Sequence, residues 1–183
     1  MQTKAIMVIL GVLLISIIFS GCVEEVQKLF TGAELAKKND CIKQADASLE
    51  IFKLNLELAG QGGVERKSIL DSVLSDCVSD GSSTVTLLNK DSDPLICSRH
   101  CSTSRTECVL LRSFSPSNSI TKCVNIKFST QFLIDPSVCG TEPDFSLINP
   151  LQSISLPAEL NFKNVTPAGS TESQICVFAK KVV

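Results

Sequence analysis

The sequence predicts an α+β fold in three successive parts: an N-terminal membrane-directed helix, a helical hairpin, and a small antiparallel β-sandwich or sheet with disulfides. Three observations predict it. The chain opens with an uncharged apolar run, its apolar residues then recur at helical spacing, and beyond residue 80 they alternate with polar ones while all seven prolines fall there. We therefore expect a signal peptide or membrane anchor at 1–21, a helical region at 22–80 and a disulfide-stapled β-domain at 81–183.

Composition narrows the classes of function. The 183 residues carry a formal net charge of -2, too close to zero for a positive face that binds phosphates, and they include no Trp or Tyr to stack on bases. His100 is the one histidine, so no mechanism can use two imidazoles. The sequence also lacks the G-x-S-x-G and H-E-x-x-H patterns and a Gly-rich phosphate loop. We expect no nucleic-acid partner, no cofactor and no enzymatic activity.

The amino-terminal segment is directed to a membrane. Residues 5–21 form an uncharged apolar stretch that follows Lys4 and ends just before Cys22. As a helix at ~1.5 Å per residue, this stretch would extend roughly 25 Å, slightly less than the ~30 Å hydrocarbon core of a bilayer. A basic start, an apolar run and small residues at its end are also typical of a secretory signal. Its length therefore leaves two interpretations, a cleaved signal peptide and an uncleaved anchor.

The run Phe19-Ser20-Gly21-Cys22 resembles the lipobox of prokaryotic membrane lipoproteins. The resemblance implies that the signal is cut before Cys22, that the Cys22 thiol carries a diacylglycerol, and that the mature chain begins there. In the alternative, residues 5–21 remain as a transmembrane helix and Cys22 lies at the membrane interface. Under both interpretations the chain contacts membrane lipid through Cys22 or residues 5–21. Residues 23–183 then lie on the extracytoplasmic face of the cell membrane.

The cysteine count agrees with an extracytoplasmic location. Apart from Cys22 the chain has an even set of eight cysteines, which we expect to form disulfides in an oxidising compartment. They are Cys41, Cys77, Cys97, Cys101, Cys108, Cys123, Cys139 and Cys176. Four bridges are possible, and their connectivity cannot be deduced from the sequence.

The helical region begins with a long amphipathic helix. Thr31 and Glu34 have the spacing of a capping box, which marks a helix start, and the next glycine is Gly60. One helix of about 28 residues is therefore predicted between Thr31 and Gly60. One apolar stripe is predicted along this helix, with Leu35, Ile42, Leu49 and Leu56 at steps of seven and Cys41, Ala45, Phe52 and Ala59 beside them.

A second helix is predicted at 64–79, after a glycine-containing turn at 61–63. Its apolar residues Ile69, Val73 and Cys77 recur at steps of four. Because the connecting turn is short, the two helices should pack antiparallel.

Alternation of apolar and polar residues predicts the strands of the β-domain. It is clearest at 153–163, where Pro157 indicates an edge strand or a bulge because proline cannot donate to a ladder. Further strands are predicted at 83–88 and 173–182.

A β-hairpin is predicted from residues 106–114 and 119–128, which flank the turn-rich tetrad 115–118. Cys108 and Cys123 lie almost symmetrically about this turn, so a disulfide between the two strands is geometrically plausible. A register shift of one residue would instead point the two side chains to opposite faces.

The proline-rich residues 135–150 predict a long loop tied down by Cys139. Phe145, Leu147 and Ile148 are apolar residues of this loop that show no clear periodicity. They either cover the core or form a contact patch for a partner. We expect core cover, because burial is the commoner fate of apolar side chains.

Two groups of residues have the composition of metal sites. Cys97, His100, Cys101 and Cys108 include the thiolates and the imidazole that zinc prefers, although C-x3-C differs from the two-residue spacing of zinc ribbons and fingers. Asp91 and Asp93 offer carboxylates to calcium but lack the glycine and the distant glutamate of an EF-hand loop. We favour disulfides for the cysteines and an Asp-capped turn for the acidic pair, so no metal site is predicted.

These observations favour a lipid-anchored or membrane-anchored cell-envelope protein. Its extracytoplasmic, disulfide-stapled domain would bind an unknown envelope or extracellular protein, or have a structural role. One alternative is a filament subunit, because an apolar helix followed by an amphipathic helix and a disulfide-bearing β-domain resembles type IV pilins. The other is a metal-handling or redox lipoprotein centred on His100. Mature pilins keep the apolar helix and lipoproteins lose it, so the mature amino terminus distinguishes the first two.

Overall fold

The computed structural model describes residues 32–62, 65–78, 82–102, 106–112, 119–126, 130–132 and 135–182. The chain divides into two compact units, Met1–Asp40 and Cys41–Val183. The described part of the first unit, residues 32–40, is helical and exposed. The second unit combines helices with antiparallel strands, which confirms the predicted α+β class.

Helix α1 of the second unit occupies residues 41–60. Its buried side chains form one stripe at steps of three and four, as expected for an amphipathic helix over a core. The stripe consists of Cys41, Ala45, Leu49, Phe52, Leu56 and Ala59, each 5% exposed or less. Two residues assigned to the predicted stripe lie outside it, since Ile42 is 36% exposed and Leu35, in the first unit, is 59% exposed. A strict seven-residue repeat drifts by ~20° per heptad in a straight helix, so it does not follow one buried face.

The second helix of the predicted hairpin is replaced by other structure. Arg66–Leu70 is strand β1, and Ser75–Cys77 forms a single 3-10 turn. β1 pairs antiparallel with a strand at Ala158–Val165, which lies far away in sequence. Ile69, a member of the predicted helical stripe, is 66% exposed, whereas Leu70 is 1% exposed. Pairing with a distant strand decides the structure of this segment. The spacing of its apolar residues at steps of four does not show that pairing.

The strands of the described residues form two sheets. In chain order they are β1 Arg66–Leu70, β2 Ser83–Leu88, β3 Thr106–Arg112, β4 Ile120–Asn125, β5 Thr130–Phe132, β6 Ser146–Ile148, β7 Ser153–Leu156, β8 Ala158–Val165 and β9 Ser173–Lys181. The first sheet has the order β1-β8-β9-β5, with β6 also paired to β9, and the second has the order β4-β3-β2-β7. The pair β5–β9 is parallel and the others are antiparallel. Side chains from α1 and from both sheets share one hydrophobic core.

The predicted strand at 153–163 forms two strands in different sheets. β7 is an edge of the second sheet, and β8 lies between β1 and β9 in the first. Pro157 separates β7 from β8, because a residue without a backbone N–H interrupts the ladder at that point. The alternating apolar residues are buried on both sides of the break: Ile154, Leu156, Ala158, Leu160 and Phe162. The expected edge strand is therefore correct for β7 and wrong for β8.

The predicted β-hairpin is formed by β3 and β4, which pair antiparallel. Their register places Cys108 directly opposite Cys123. The predicted turn 115–118 lies outside the described residues. Strands β2 and β9 also lie where alternation places them.

Two short helices complete the described part of the second unit, α2 at Pro94–His100 and α3 at Pro136–Cys139. Both begin with an aspartate that caps a proline-initiated turn, Asp93 before Pro94 and Asp135 before Pro136. α3 and β6 occupy parts of the segment predicted as a long loop.

Candidate functional site

The predicted membrane end of the chain lies outside the described residues. Cys22 as the lipidated residue and 5–21 as the signal or anchor therefore stay predictions. Among the helices of the described residues, none combines the length and the apolar character needed to cross a membrane. The candidate sites within the described part are the cysteines, two groups of acidic residues, and the apolar residues of segment 135–150.

Three cysteine pairs join elements distant in sequence. Cys41–Cys77 connects the start of α1 to the 3-10 turn, Cys101–Cys123 connects the end of α2 to β4, and Cys139–Cys176 connects α3 to β9. Their Cα–Cα distances are 5.6, 5.6 and 5.7 Å, which are usual for disulfides. Cys97 and Cys108 are buried and free. For these two residues the predicted bridge stays a prediction.

The plausible hairpin disulfide differs from the pairing in the structure. Cys108 and Cys123 are opposite each other in the ladder, yet the partner of Cys123 is Cys101. The Cys108 Sγ lies 3.1 Å from the Cys101 Sγ, so three sulfurs meet at this point. Sequence symmetry about a turn identifies strands that pair, but it cannot show that a helix brings a third cysteine over them.

Helix α2 supplies two of the sulfurs. The Asp93 carboxylate accepts a hydrogen bond from the Ile96 N–H at 3.0 Å, and the Cys101 N–H donates to the Cys97 carbonyl at 2.8 Å. This cap and the i to i+4 bond close the short helix, so the side chains of Cys97 and Cys101 lie on one side of it. The sequence interpretation treated these residues as a loop, although Asp93 followed by Pro94 is a helix-start signal.

Four cysteines form what we call the sulfur cluster: Cys97, Cys101, Cys108 and Cys123. They pack with Leu88, Leu110 and Ile96 in a small hydrophobic cluster separate from the main core. Cys97, Cys101 and Cys108 are 2%, 7% and 0% exposed, and Cys123 is partly buried.

Burial determines the electrostatics of the sulfur cluster. Desolvation is the main cause that raises the pKa of both Cys97 and Cys108, and for Cys108 the hydrogen bond to Cys97 raises the pKa further. The neighbouring Glu107 on β3 has its pKa raised to about 7 by burial and by the charge of Asp91. Its Oε2 is buried and has no hydrogen-bond partner. Both thiols are therefore protonated at neutral pH, which does not suit a nucleophile.

The structure does not assemble the zinc ligand set considered from the sequence. The side chain of His100 is exposed, and its carbonyl oxygen lies 3.0 Å from the Cys123 Sγ. Cys101 is already bridged to Cys123. Among the described residues, no three side chains of His, Cys, Asp or Glu form a group that could hold a metal ion.

Of the acidic pair on the turn before α2, Asp93 has a capping role. Asp93 caps the helix, and Asn89 and Ser92 bond each other, with the Ser92 N–H donating to Asn89 Oδ1 at 2.6 Å and the Asn89 N–H donating to Ser92 Oγ at 2.8 Å. These contacts agree with the Asp-capped turn rather than with a calcium loop.

The apolar residues of segment 135–150 cover the first sheet. Ile148 is 7% exposed and belongs to the main core. Phe145 and Leu147 are partly buried and pack against the cluster of Cys139, Cys176 and Phe178. This placement agrees with the expectation that the three side chains cover the core, and it leaves little exposed apolar surface for a contact patch.

A buried amide on β8 links two carboxylates, a feature that sequence reasoning missed. Asn161 is 0% exposed, and its Nδ2 donates to Glu65 Oε1 at 2.8 Å and to Glu142 Oε2 at 3.4 Å. The hydrogen bond from Asn161 is the main cause that lowers the pKa of Glu65. Lys163 contacts Glu142, and the Lys67 Nζ lies 3.6 Å from Glu65 Oε1. Two carboxylates thus face two ammonium groups, an arrangement that favours a structural role over cation binding.

Comparison of the chain with protein-family models, with curated proteins and with solved structures finds no match.

Proposed function

We propose that the chain is a cell-envelope protein held at the membrane by a lipid on Cys22 or by residues 5–21, with residues 23–183 on the extracytoplasmic face. The second unit is a disulfide-stapled domain that binds an envelope or extracellular protein or has a structural role, without catalysis. One observation carries the proposal: in a chain with an apolar amino-terminal run, six cysteines lie in three pairs at disulfide distance. Structural disulfides persist in oxidising compartments and are rare in the cytosol.

The positions of the bridges support an extracellular structural domain. α2 has seven residues and α3 has four, lengths at which a helix is not stable in isolation. A bridge ends each of them, Cys101–Cys123 for α2 and Cys139–Cys176 for α3. Two of the three bridges thus tie the short helices α2 and α3 to strands of the two sheets.

The chemistry of the sulfur cluster supports a role other than catalysis. An activated cysteine is partly exposed and lies beside positive charge that lowers its pKa. Cys97 and Cys108 are buried instead, and their pKa values are raised by desolvation. Glu107 and Asp93 add negative charge near them, which raises the pKa of both thiols further.

The lipid anchor is tested with Cys22→Ser in the full chain. We expect the variant to keep its apolar run, to migrate as the uncut precursor, and to incorporate no fatty-acid analogue, because the acceptor thiol is missing. Cys97→Ser is the matched control, since it makes the same chemical change at a cysteine far from the lipobox-like run. Normal size and normal labelling of Cys22→Ser would exclude the lipoprotein interpretation.

The location is tested independently by adding a protease to intact cells. We expect the second unit to become accessible from outside without lysis, whether a lipid or an uncleaved helix holds the chain. Protection in intact cells together with digestion after lysis would place the domain inside and contradict the proposal.

A pilin-like filament subunit is the second candidate, and the packing of α1 favours it. The buried stripe of α1 packs with the mostly antiparallel first sheet, where Phe52 meets Phe162 with ring centroids 5.5 Å apart. The mass of the membrane-extracted chain separates the candidates. A filament subunit retains residues 5–21, whereas a lipoprotein begins at a lipidated Cys22.

A further inference from the structure

We propose that Cys97 and Cys108 form a fourth disulfide, so that two adjacent bridges clamp α2 onto the β3–β4 hairpin. The inference rests on the proposed extracytoplasmic location, which supplies the oxidising conditions. It goes beyond that proposal because it assigns a specific pairing to the two buried thiols.

The geometry of the two elements brings four sulfurs together as two facing pairs. Cys97 lies on α2 and Cys101 caps its carboxyl end. The Cys101 N–H donates to the Cys97 carbonyl at 2.8 Å, so the two residues are about one helical turn, ~5.4 Å, apart. Cys108 and Cys123 are directly opposite on neighbouring antiparallel strands, which sets their Cβ atoms ~4.5–5.5 Å apart. One helical turn and one cross-strand distance are nearly equal, so the two pairs of cysteines allow two disulfides side by side.

The bridge already present leaves one pairing for the other two sulfurs. Four cysteines allow three connectivities. Because Cys101 is bonded to Cys123, both connectivities that use Cys101 with Cys97 or with Cys108 are excluded. The remaining bond is Cys97–Cys108.

The contacts of the two thiols fit this bond. Cys97 on α2 and Cys108 on β3 belong to one small buried cluster, so their side chains are neighbours. Both are 2% exposed or less and lie in an apolar cluster with Leu88 and Leu110. A disulfide has no hydrogen to donate and is less polar than two thiols, so it suits a dry site.

The reaction is an ordinary two-electron exchange with an external disulfide, of the small-molecule or protein class that oxidising compartments contain. One thiolate attacks the oxidant and forms a mixed disulfide, and the second thiolate displaces the remaining half. A Cys97 Sγ–Cys108 Sγ bond forms, the oxidant's S–S bond breaks, and two protons and two electrons leave the cysteines to produce two external thiols. Since burial raises the pKa of both thiols, attack should be faster before α2 packs than afterwards.

Peptide mapping of the full chain tests the pairing directly. The membrane-extracted protein is denatured without reductant, alkylated and digested with trypsin. Cleavage after Lys90, Arg99, Arg105, Arg112, Lys122 and Lys127 places each cysteine of the sulfur cluster in a different peptide. We expect the peptide 91–99 to be joined to 106–112, and 100–105 to be joined to 123–127, with no alkylated Cys97 or Cys108.

Three results would overturn the inference, two from the peptide map and one from metal analysis. One is alkylation of both Cys97 and Cys108 while the other three bridges are intact, and another is a joined pair of 100–105 with 106–112. Stoichiometric zinc together with four alkylated cysteines would also overturn it and would make the cluster a metal site. Cys97→Ser provides the control, because it should leave one alkylated thiol, at Cys108, where the natural chain has none.

A refolding arm separates failure of the pairing from failure of the location. The reduced, full-length chain is refolded in detergent with a defined mixture of reduced and oxidised glutathione and mapped in the same way. If the Cys97–Cys108 link forms there, but protein taken from cells has all eight cysteines reduced, the pairing stands and the extracytoplasmic location is contradicted. If the three other bridges form and this one does not, the pairing itself is wrong.

Discussion

Glu107 shows how one carboxyl ties stability to pH. It lies on β3 beside the sulfur cluster, and burial together with the charge of Asp91 raises its pKa from 4.5 to about 7. A raised carboxyl pKa means that the folded chain holds its proton more tightly than the unfolded chain does. Between these two pKa values the unfolded state loses its proton first, so folding stability should fall as the pH rises through this window and level off above it.

We predict that Glu107→Gln removes this loss. A neutral amide has no ionisation cost, so the variant should gain about 1–3 kcal/mol over the natural chain at about pH 8 relative to about pH 5. Urea unfolding at both pH values measures the difference. Glu172→Gln, at an exposed position, makes the same charge change without desolvation and serves as the control. Equal pH dependence in the natural chain and in Glu107→Gln would contradict the prediction.

At the scale of elements, one aromatic contact joins α1 to the first sheet. Phe52 on α1 and Phe162 on β8 are both 0% exposed, and their rings meet edge to face at an interplanar angle of 81°. Such a pair combines a large buried area with a favourable ring geometry.

We predict that Phe52→Ala lowers the free energy of unfolding by ~3–5 kcal/mol, through lost burial and the cavity left behind. The matched control is Ile51→Ala, next to it on the same helix but 48% exposed, which should change stability by no more than ~0.5 kcal/mol. Chemical unfolding of the three proteins provides the comparison. If the two variants lose equal stability, the buried stripe is not what holds α1 on the sheet.

At the scale of the whole molecule, the bridges link segments that are far apart along the chain. They close separations of 36, 22 and 37 residues, and in the chain-entropy account each restricts the unfolded state. Charge contributes little by comparison, since ion pairs such as Lys180–Asp144, at 3.8 Å between Nζ and Oδ2, lie at the surface.

We predict that Cys139→Ala combined with Cys176→Ala lowers stability by ~2–4 kcal/mol while the α+β fold persists. Circular dichroism reports the fold, and the thermal midpoint reports the loss. Reduction of the natural chain should lower its midpoint further, because the other bridges also open. An unchanged midpoint after full reduction would show that the bridges do not stabilise the domain.

Local patterning was a good guide wherever the structure follows from neighbouring residues. Local features of the chain predict β2, β9 and the β3–β4 hairpin: short strand-like segments and, for the hairpin, the turn-rich residues 115–118. The register that sets Cys108 opposite Cys123 stays open in the sequence, because a shift of one residue would reverse the faces, and the structure decides it. The alternating apolar residues of 153–163 are likewise buried on both sides of Pro157, although β7 and β8 belong to different sheets.

Pairing partners were decided only in the tertiary structure. Arg66–Leu70 becomes β1 because the neighbouring edge of β8 offers it backbone hydrogen bonds, and that edge comes from the opposite end of the domain. Asn161 is buried for the same reason, since β8 has a strand on each side and the segment before β6 approaches its polar face.

The sequence by itself determined that an apolar run at 5–21 is followed directly by Cys22 and then by an even set of eight cysteines. It also determined that apolar residues recur first at helical spacing and later at strand spacing. The tertiary structure decided which cysteines meet. Cys101 pairs with Cys123 because a seven-residue helix, capped by Asp93, lies across the hairpin and brings Cys97 beside Cys108. The physical reason is that periodicity depends on the backbone of one segment, whereas contacts between segments depend on packing that no single segment contains.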